Sequence, residues 1–600
     1  MSAKSIIFGW KIIFFLGFSI VLFAILCFRL FDLQILKGDF FLNKAEDNRL
    51  FSFRIAANRG VIFDRYFQPL SWNERVYYYR ENIESLYSDE KLLFQDEAMV
   101  VLATDEARVN LDFARYYLPS ESLSHTLGYV AEADKESLAN DSSLALGQLI
   151  GHLGLEKIFE KTLRGVEGSQ TVEINALAQQ RRNLWLKKPQ SGNNIETTLD
   201  PILSQFAWDA LGDQKGVIII NDAKTGELLA LVSKPGFDPN FISQSKSLDE
   251  AAQQERQEKI TNWLNDSKQR FFHRAIAGVY PPGSIFKLVT SLAGLENGAL
   301  NAGTTVVDEG VLKVGDYEYR SWLGRAEGEM DLVKAIARSN DIFFYKAAEW
   351  IGPDNIAVMA KRFGFGSKSG IELLGEQKGL VPSPAWKENT IGERWFLGNT
   401  YHFGIGQGDL LVTPLQISQL VQALANNASI CSPHLIKSTE SFCHEVGIKE
   451  ENLELVLRGM LAACSSGGTA SIFFPHNDTR LQEGVNAFSQ INNGAIACKT
   501  GTAEFGGQDE QGKRNTHAWW VGIIDLKKFK IYKSENLENS EKTISDVQRE
   551  RWSKLIEKHG FPERITITVM AESDEENPFK EGSIDAAKPA KEIIDWILGE

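Results

Sequence analysis

The sequence predicts an α+β protein carried behind a single apolar N-terminal helix. Three observations lead there. Strand-like runs open the stretch after residue 215 and return near the end, with Gly-punctuated amphipathic helices between them; one sheet should therefore gather both ends of a domain. The segment Ile12–Phe28 contains no charged residue. Hydrophobic content of 43% beside 24% charged residues suits a globular chain, neither disordered nor many times membrane-spanning, and 600 residues exceed one ordinary domain.

Joined to Ile6–Trp10 across Lys11, the apolar run can cross ~30 Å of hydrocarbon, with Lys11 snorkelling to the headgroups. A cleaved signal peptide lacks its Ala-X-Ala site here, and Leu26 rather than a small residue precedes Cys27, against a lipoprotein signal. A buried core helix is the third reading. We take the run as an uncleaved anchor over 12–30 behind a tail of 1–11. Lys and Arg counts on the two sides leave the orientation open; a short tail and an acidic bulk favour the tail inside and the bulk outside.

Arg29 to about Asn48 continues as helix, on the spacing of Leu30, Leu33, Ile35, Leu36 and Phe40. Leu50–Ala56 and Met99–Leu102 read as strands, and the KKPQSGNN stretch at 187–194 as a turn-rich break. Gly216–Gly236 reads as a hairpin of strands Val217–Asn221 and Leu228–Val232 about a Lys224-Thr225-Gly226 turn. Helices dominate from Ser284. Strands return at Gly494–Cys498, Trp519–Ile524 and Ile565–Ala571, and Ala586–Leu598 is an amphipathic helix. Between the last two strands lies a charged insertion at about 527–564, with Ile544, Val547, Leu555 and Ile556 on one side of a helix. A solvated insertion is its plainer reading and a partner-docking surface the sharper one.

A net charge of −15 repels phosphate and excludes nucleic acid as the main partner. Five cysteines (Cys27, Cys431, Cys443, Cys464, Cys498), odd in number and without close pairing, suggest neither a disulfide framework nor a zinc ribbon. Cys498 reads as a packing residue.

The chemistry concentrates in three motifs. In YPPGSIFK, Pro281 and Pro282 stop any preceding helix, Gly283 permits a tight entry, and Ser284 opens a helix with Lys287 at i+3 on the same face. A serine is a weak nucleophile without a base, and a lysine can be that base once burial or a neighbouring cation lowers its pKa. In ARSNDIFFYK, Ser339-Asn340-Asp341 precedes an apolar helix and reads most plainly as its N-cap. In GAIACKTGTAE, an apolar strand delivers Lys499, followed by Thr500-Gly501-Thr502; Gly501 removes a side chain that would block a substrate pressed along the strand edge. Each motif is weak alone. In this order they match the Ser-X-X-Lys, Ser-Asp-Asn, Lys-Thr-Gly set of serine β-lactamases and penicillin-binding proteins.

The resemblance is to class B penicillin-binding proteins. NRGVIFDR (Asn58–Arg65) is similar to that class's Arg-Gly-X-X-X-Asp-Arg box, carried here by Arg59, Gly60, Asp64 and Arg65. SHTLGYV (Ser124–Val130), LGLEKIFEKTLRGVEG (Leu153–Gly168), PGFDPN (Pro235–Asn240), GIGQGDLLVTPLQ (Gly404–Gln416) and THAWWVG (Thr516–Gly522) are similar too. The family implies a pedestal domain at 31–195 and a transpeptidase domain at 196–600, an antiparallel sheet covered by helices as in serine β-lactamases. It implies that Ser284 attacks the penultimate D-Ala of a stem peptide, with Lys287 as base, and that Ser339 passes a proton to the leaving amine. Lys499 supplies positive potential, and Thr500 and Thr502 bind the substrate carboxylate. The backbone N–H groups of Ser284 and Thr502 form the oxyanion hole. Asn340 and Gly501 complete the substrate-binding set. β-Lactams acylate Ser284, and no metal or organic cofactor is expected.

The second motif departs from Ser-X-Asn by carrying Asp341, which resembles the elongation-type penicillin-binding protein 2 branch rather than the septal one. Some members of that branch hold zinc just before the motif through a His and a Cys. Here Glu327 stands where the His would be and no Cys is near, so that site is not expected. The expected partners are the membrane, elongation-complex proteins and a SEDS glycosyltransferase of the RodA type. A D,D-carboxypeptidase, a β-lactamase, a β-lactam sensor, a bifunctional polymerase and an inactive scaffold are the rivals. His125, His273 and His517 are given structural hydrogen bonds and no catalytic role.

Overall fold

A computed structural model describes residues 3–80, 90–104, 109–144, 147–175, 180–243, 250–473, 495–508, 512–528 and 544–598. The chain divides into two bodies, one of Met1–Arg59, Asn73–Ala114 and Arg164–Asn193, the other of Gly60–Trp72, Arg115–Leu163 and Asn194–Glu600.

In the first body, helix Ala3–Phe31 runs into a π-turn at Asp32–Leu36 and then helix Gly38–Arg49. The expected helical continuation is therefore present but interrupted, with Arg29 and Lys37 both donating to Asp32 Oδ2 at the turn. The stretch Ile12–Leu36 is long and apolar enough to cross a membrane. Strand Leu50–Ile55 pairs with Gly168–Ile174, which pairs with Gln180–Lys187. That last strand was hidden by its polar composition.

Met99–Leu102 is not a strand but lies within helix Gln95–Thr104. Asp96 and Glu97 sit in its first turn, where the helix dipole favours them, and Glu97 Oε2 accepts the Phe94 N–H. These starting signals outweigh the β-preference of Val100 and Val101.

The second body is built on a five-stranded antiparallel sheet in the order Leu228–Lys234, Gly216–Asp222, Arg564–Ala571, Arg514–Asp525, Ile496–Gln508. The hairpin and the three late strands of the sequence reading thus form one sheet. The run VIII reads as continuously apolar because both faces are covered. Val217 and Ile219 pack with Phe286, Leu415, Trp519 and Val521 in one core. Ile218 and Ile220 pack with Trp520, Ile567, Ile593 and Trp596 in the other. The second core is capped by helices Pro201–Ala210 and Ala587–Leu598, and the first holds the wholly buried helix Pro414–Ala425. The C-terminal helix begins one residue after a π-turn at Gly582–Ala586.

Two expectations fail here. The part of the charged insertion at 529–543 lies outside the described residues. Its helix, Ile544–His559, is docked rather than solvated: Trp552 is buried, lies 4.8 Å from the Trp596 ring, and donates through Nε1 to Asp200 Oδ2 at 2.7 Å. The cysteines also pair. Cys431 and Cys443 face each other across a short antiparallel ladder, and Cys464, at the end of helix Glu450–Ala463, is bonded to Cys498 on the edge strand. Spacings of 12 and 34 residues gave no sign of this, because folding rather than sequence proximity brings the sulfurs together.

Candidate active site

Ser284 sits in a 3₁₀ turn, Gly283–Phe286, that feeds helix Lys287–Asn297. In such a turn residues i and i+3 eclipse, which brings Ser284 and Lys287 to one side. The turn is held from behind. Gly283 N–H donates to Gly406 O, Tyr280 and Val412 exchange backbone bonds, Thr290 Oγ1 donates to Gly404 O, and Trp519 Nε1 donates to Pro281 O. Gly406 is in the left-handed region, and a Cβ there would lie 2.1 Å from Gly283 O. The Gly-Ile-Gly-Gln-Gly segment is therefore the seat of the Ser284 turn.

The second motif is a joint between helices Leu332–Arg338 and Asp341–Ile351. Ser339 closes the first helix at φ 56°, a conformation strained for a residue other than glycine. That turns its carbonyl toward Lys287. Lys287 Nζ donates to Ser339 O at 2.8 Å, to Asp341 Oδ1 at 2.6 Å and, more weakly, to Ser339 Oγ at 3.4 Å. Among the described residues Ser284 Oγ has no hydrogen bond to Lys287. Asp341 Oδ2 accepts the Trp322 N–H at 3.0 Å, so both carboxylate oxygens are held.

The third motif lies wholly within the edge strand, whose other side pairs with no strand among the described residues. Lys499 and Gly501 share parity with Ala497 and Ala503, which belong to the core that includes Phe286, and Lys499 is completely buried with Nζ on Thr500 O at 2.9 Å. Thr502 is exposed, and its Oγ1 accepts the Gly582 N–H at 3.2 Å, leaving its own proton free to donate. Thr500 Oγ1 donates to Thr469 Oγ1 at 2.8 Å. Thr469 was not singled out in the sequence; a Ser-Ser-Gly-Gly-Thr turn after a helix carries no signal of its own.

Burial lowers the pKa of Lys287, while Asp341's charge and hydrogen bond pull it back up. Burial lowers Lys499 well below the ordinary lysine value, and the charge of Lys287 adds to that. Two cations cannot both be held there without cost, so each lysine favours neutrality in the other.

Two expected roles do not fit the geometry. Asn340 is fully buried; its Oδ1 accepts the Phe343 N–H, and its Nδ2 donates to Asp308 and Glu327. It is the cap of the second helix, as its plainest reading held, and has no group left for a substrate. A Cβ on Gly501 would not meet the open strand edge. It would meet Ile285 Cγ1 at 3.0 Å, Pro282 O at 3.1 Å and Trp519 Cβ at 3.2 Å, so this glycine lets the Ser284 turn approach the sheet.

The Arg-Gly-X-X-X-Asp-Arg box lies at the division between the bodies. Arg59 is in the first, its carbonyl accepting from Asn73 Nδ2. In the second, Gly60 O accepts from Arg115, Asp64 Oδ1 accepts the Tyr66 and Gln68 N–H groups, and the Arg65 guanidinium lies over Tyr66 and Phe561. His125 Nε2 donates to Arg270 O, and His517 Nδ1 accepts the Ser573 N–H. His273 differs from expectation: neither ring nitrogen has a hydrogen-bond partner among the described residues, and the ring packs on His125.

A family model described as the penicillin binding protein transpeptidase domain matches residues 216–557, and one described as the penicillin-binding protein dimerisation domain matches 103–197. The chain is 31% identical over 474 residues to the peptidoglycan D,D-transpeptidase MrdA of Escherichia coli K12, covering 71% of this chain and 73% of that one. It is 28% identical to MrdA of Haemophilus influenzae over 94% of this chain and 95% of that one. Among solved structures, Pseudomonas aeruginosa PBP2 in complex with WCK 5153 matches with TM-score 0.64 at 26% identity, over 91% of this chain and 96% of that one. A peptidoglycan synthase complex, titled for the structural coordination of polymerization and crosslinking, matches with TM-score 0.69 at 25% identity over 98% of each chain. With its three motifs gathered at one sheet edge and more than half its length matched by the transpeptidase model, the chain belongs to the penicillin-binding proteins, on the branch that includes the D,D-transpeptidase MrdA.

Proposed function

We propose that this chain is a peptidoglycan D,D-transpeptidase of lateral wall elongation, acting through an acyl-enzyme on Ser284. The observation that carries this is the convergence of the Ser284 turn with Lys287, Ser339 and Asp341, with Lys499 buried on the adjoining strand. A charged Lys287 supplies three donors to three acceptors. Losing a proton leaves two N–H groups for the short bonds to Ser339 O and Asp341 Oδ1, and a lone pair for the Ser284 hydroxyl. Ser284 Oγ then attacks the carbonyl of the penultimate D-Ala, and its proton passes to Lys287. The negative charge on the former carbonyl oxygen is met by the N–H groups of Ser284 and Thr502. As the C–N bond breaks, Ser339 relays a proton to the departing D-Ala amine. An amine from a second stem peptide attacks the ester, forms the cross-link and restores Ser284. The substrate carboxylate lies toward Lys499 and the free hydroxyl of Thr502, and Thr500 joins them once its hydroxyl turns from Thr469. β-Lactams enter by the same first step.

In this reading residues 31–195 are the pedestal and 196–600 the catalytic domain. The apolar helix fits a single-pass membrane protein. Two disulfides in the catalytic body favour an oxidising compartment, hence the bulk outside the inner membrane and the tail in the cytoplasm. The synthase-complex relative supports a polymerising partner, which we take to be a SEDS glycosyltransferase of the RodA type. Product analysis tests the reaction: dimeric muropeptides support transpeptidation, whereas tetrapeptide alone indicates a D,D-carboxypeptidase. Depletion tests the cellular role: rounded cells indicate elongation, filaments septation.

A further inference from the structure

The strained joint at Ser339 is held by the side chains of its two neighbours and by carboxylates outside the three motifs. Arg338, the residue just before it, donates through Nε and Nη2 to Glu327 Oε1, each at 2.8 Å, and through Nη1 to Gly467 O at 2.6 Å. Asn340, the residue just after it, donates to Asp308 Oδ2 at 2.6 Å and more distantly to Glu327 Oε2 at 3.4 Å. Asp308 is itself fixed by the Gly310 N–H. Glu327 therefore bridges the residues on either side of Ser339.

The Gly467 end of the network matters equally. Two residues further on, Thr469 donates its N–H to Ala337 O and takes the Thr500 hydroxyl on its own. The guanidinium thus ties the second motif to the loop that touches the third. Trp322 closes the ring, its indole N–H on Arg338 O and its backbone N–H on Asp341.

This is also the place where some elongation-type relatives hold zinc. The donor set here does not fit a metal. Only two carboxylates meet, their oxygens are taken by Asn340, Gly310 and Arg338, and no cluster of three His, Cys, Asp or Glu forms among the described residues. A fixed cation, the guanidinium, already stands against Glu327.

We propose that Arg338, paired with Glu327, is a positioning residue that holds the Ser339 carbonyl and hydroxyl against Lys287 and couples them to Thr500 without a metal. This rests on the acyl-transfer reading of Ser284. Arg338 touches no substrate; it acts through Ser339. A guanidinium is suited to the task because its planar fork engages Glu327 and Gly467 from separate nitrogens in a fixed geometry, whereas a lysine offers one nitrogen on a flexible stem.

The test uses the full chain in detergent and a fluorescent penicillin, with the acylation rate constant k2 and the preceding dissociation constant Kd resolved by stopped flow. A misplacement of about 1 Å costs about 10²-fold, so a partial release of the joint should lower k2 at least tenfold in Arg338→Met. Kd should stay within about twofold of the wild-type value, because Lys499 and Thr502, the carboxylate's other contacts, have no hydrogen bond to the Arg338 network among the described residues. Arg338→Lys should fall between, and Glu327→Gln should resemble Arg338→Met. Should Arg338→Met not fold, Arg338→Lys and Glu327→Gln carry the same comparison. Wild-type k2 should be indifferent to EDTA and to added zinc. A k2 within twofold of wild type in the folded variants, or wild-type acylation abolished by EDTA and restored by zinc, overturns the proposal. Wild-type protein that takes no label at all overturns instead the acyl-transfer reading beneath it.

Discussion

Replacing Asp341 by Asn isolates the charge that faces the base. The side chain keeps its shape, and its Oδ1 can still accept the Trp322 N–H. Its amide then presents a donor to Lys287, which disfavours a charged amine. Lys287 Nζ lies 2.6 Å from Oδ1, but the carboxylate charge is shared with the more distant Oδ2; two unit charges about 4 Å apart at an effective dielectric of 20 attract by about 4 kcal/mol, or about three pH units. The Asp341 side chain is 12% exposed, so solvent screens part of this; we expect about one to two units. The sign follows from the chemistry. Lys287 must be neutral to accept the Ser284 proton, so acylation rises with pH through its pKa, and losing the anion lowers that pKa. The ascending limb of k2 for a fluorescent penicillin should therefore move one to two units toward acid in Asp341→Asn. A limb that stays in place, or moves toward alkali, refutes the pairing as the control on the base.

Gly501→Ala should lower k2 about tenfold or more by pushing Ile285 and Pro282, and hence Ser284, off the sheet; stopped-flow acylation reads it, and an unchanged k2 contradicts the close approach. Thiol labelling in denaturant without reductant should mark Cys27 alone. The Cys464→Ser/Cys498→Ser pair should lose about 4 kcal/mol of stability by the chain-entropy estimate for a 34-residue separation, and three or more labelled thiols in the wild type would contradict the pairing. Burial holds His125 and His517 down to about 4. A neutral histidine in the fold against one of ordinary pKa in the unfolded chain costs stability as pH falls from about 6.5 to about 4, up to about 3 kcal/mol each. Melting curves across that window should show the loss, and His125→Gln should have a shallower slope.

The apolar runs of the sheet were legible in the sequence because alternate residues enter two different cores, so Val217–Ile220 had to be strand. The motif chemistry was legible for a different reason: few residue types can activate a serine, and their order along the chain is informative. Met99–Leu102 was misread because local β-preference competed with an acidic helix start. The disulfides, Thr469 and the Arg338–Glu327 pair were not legible. Each depends on the fold bringing together residues 11 to 34 positions apart, and none has a composition that announces it. Asn340 was given too much. Its neighbours in the motif bond Lys287, but the turn at Ser339 directs the Asn340 side chain into the helix joint.

The central claim is that Ser284 is the residue acylated. Intact-mass measurement and peptide mapping after exposure to penicillin test it most directly. The account predicts one adduct, on the peptide containing Ser284, and none in Ser284→Ala. An adduct on another residue, or an equal one in Ser284→Ala, would contradict it.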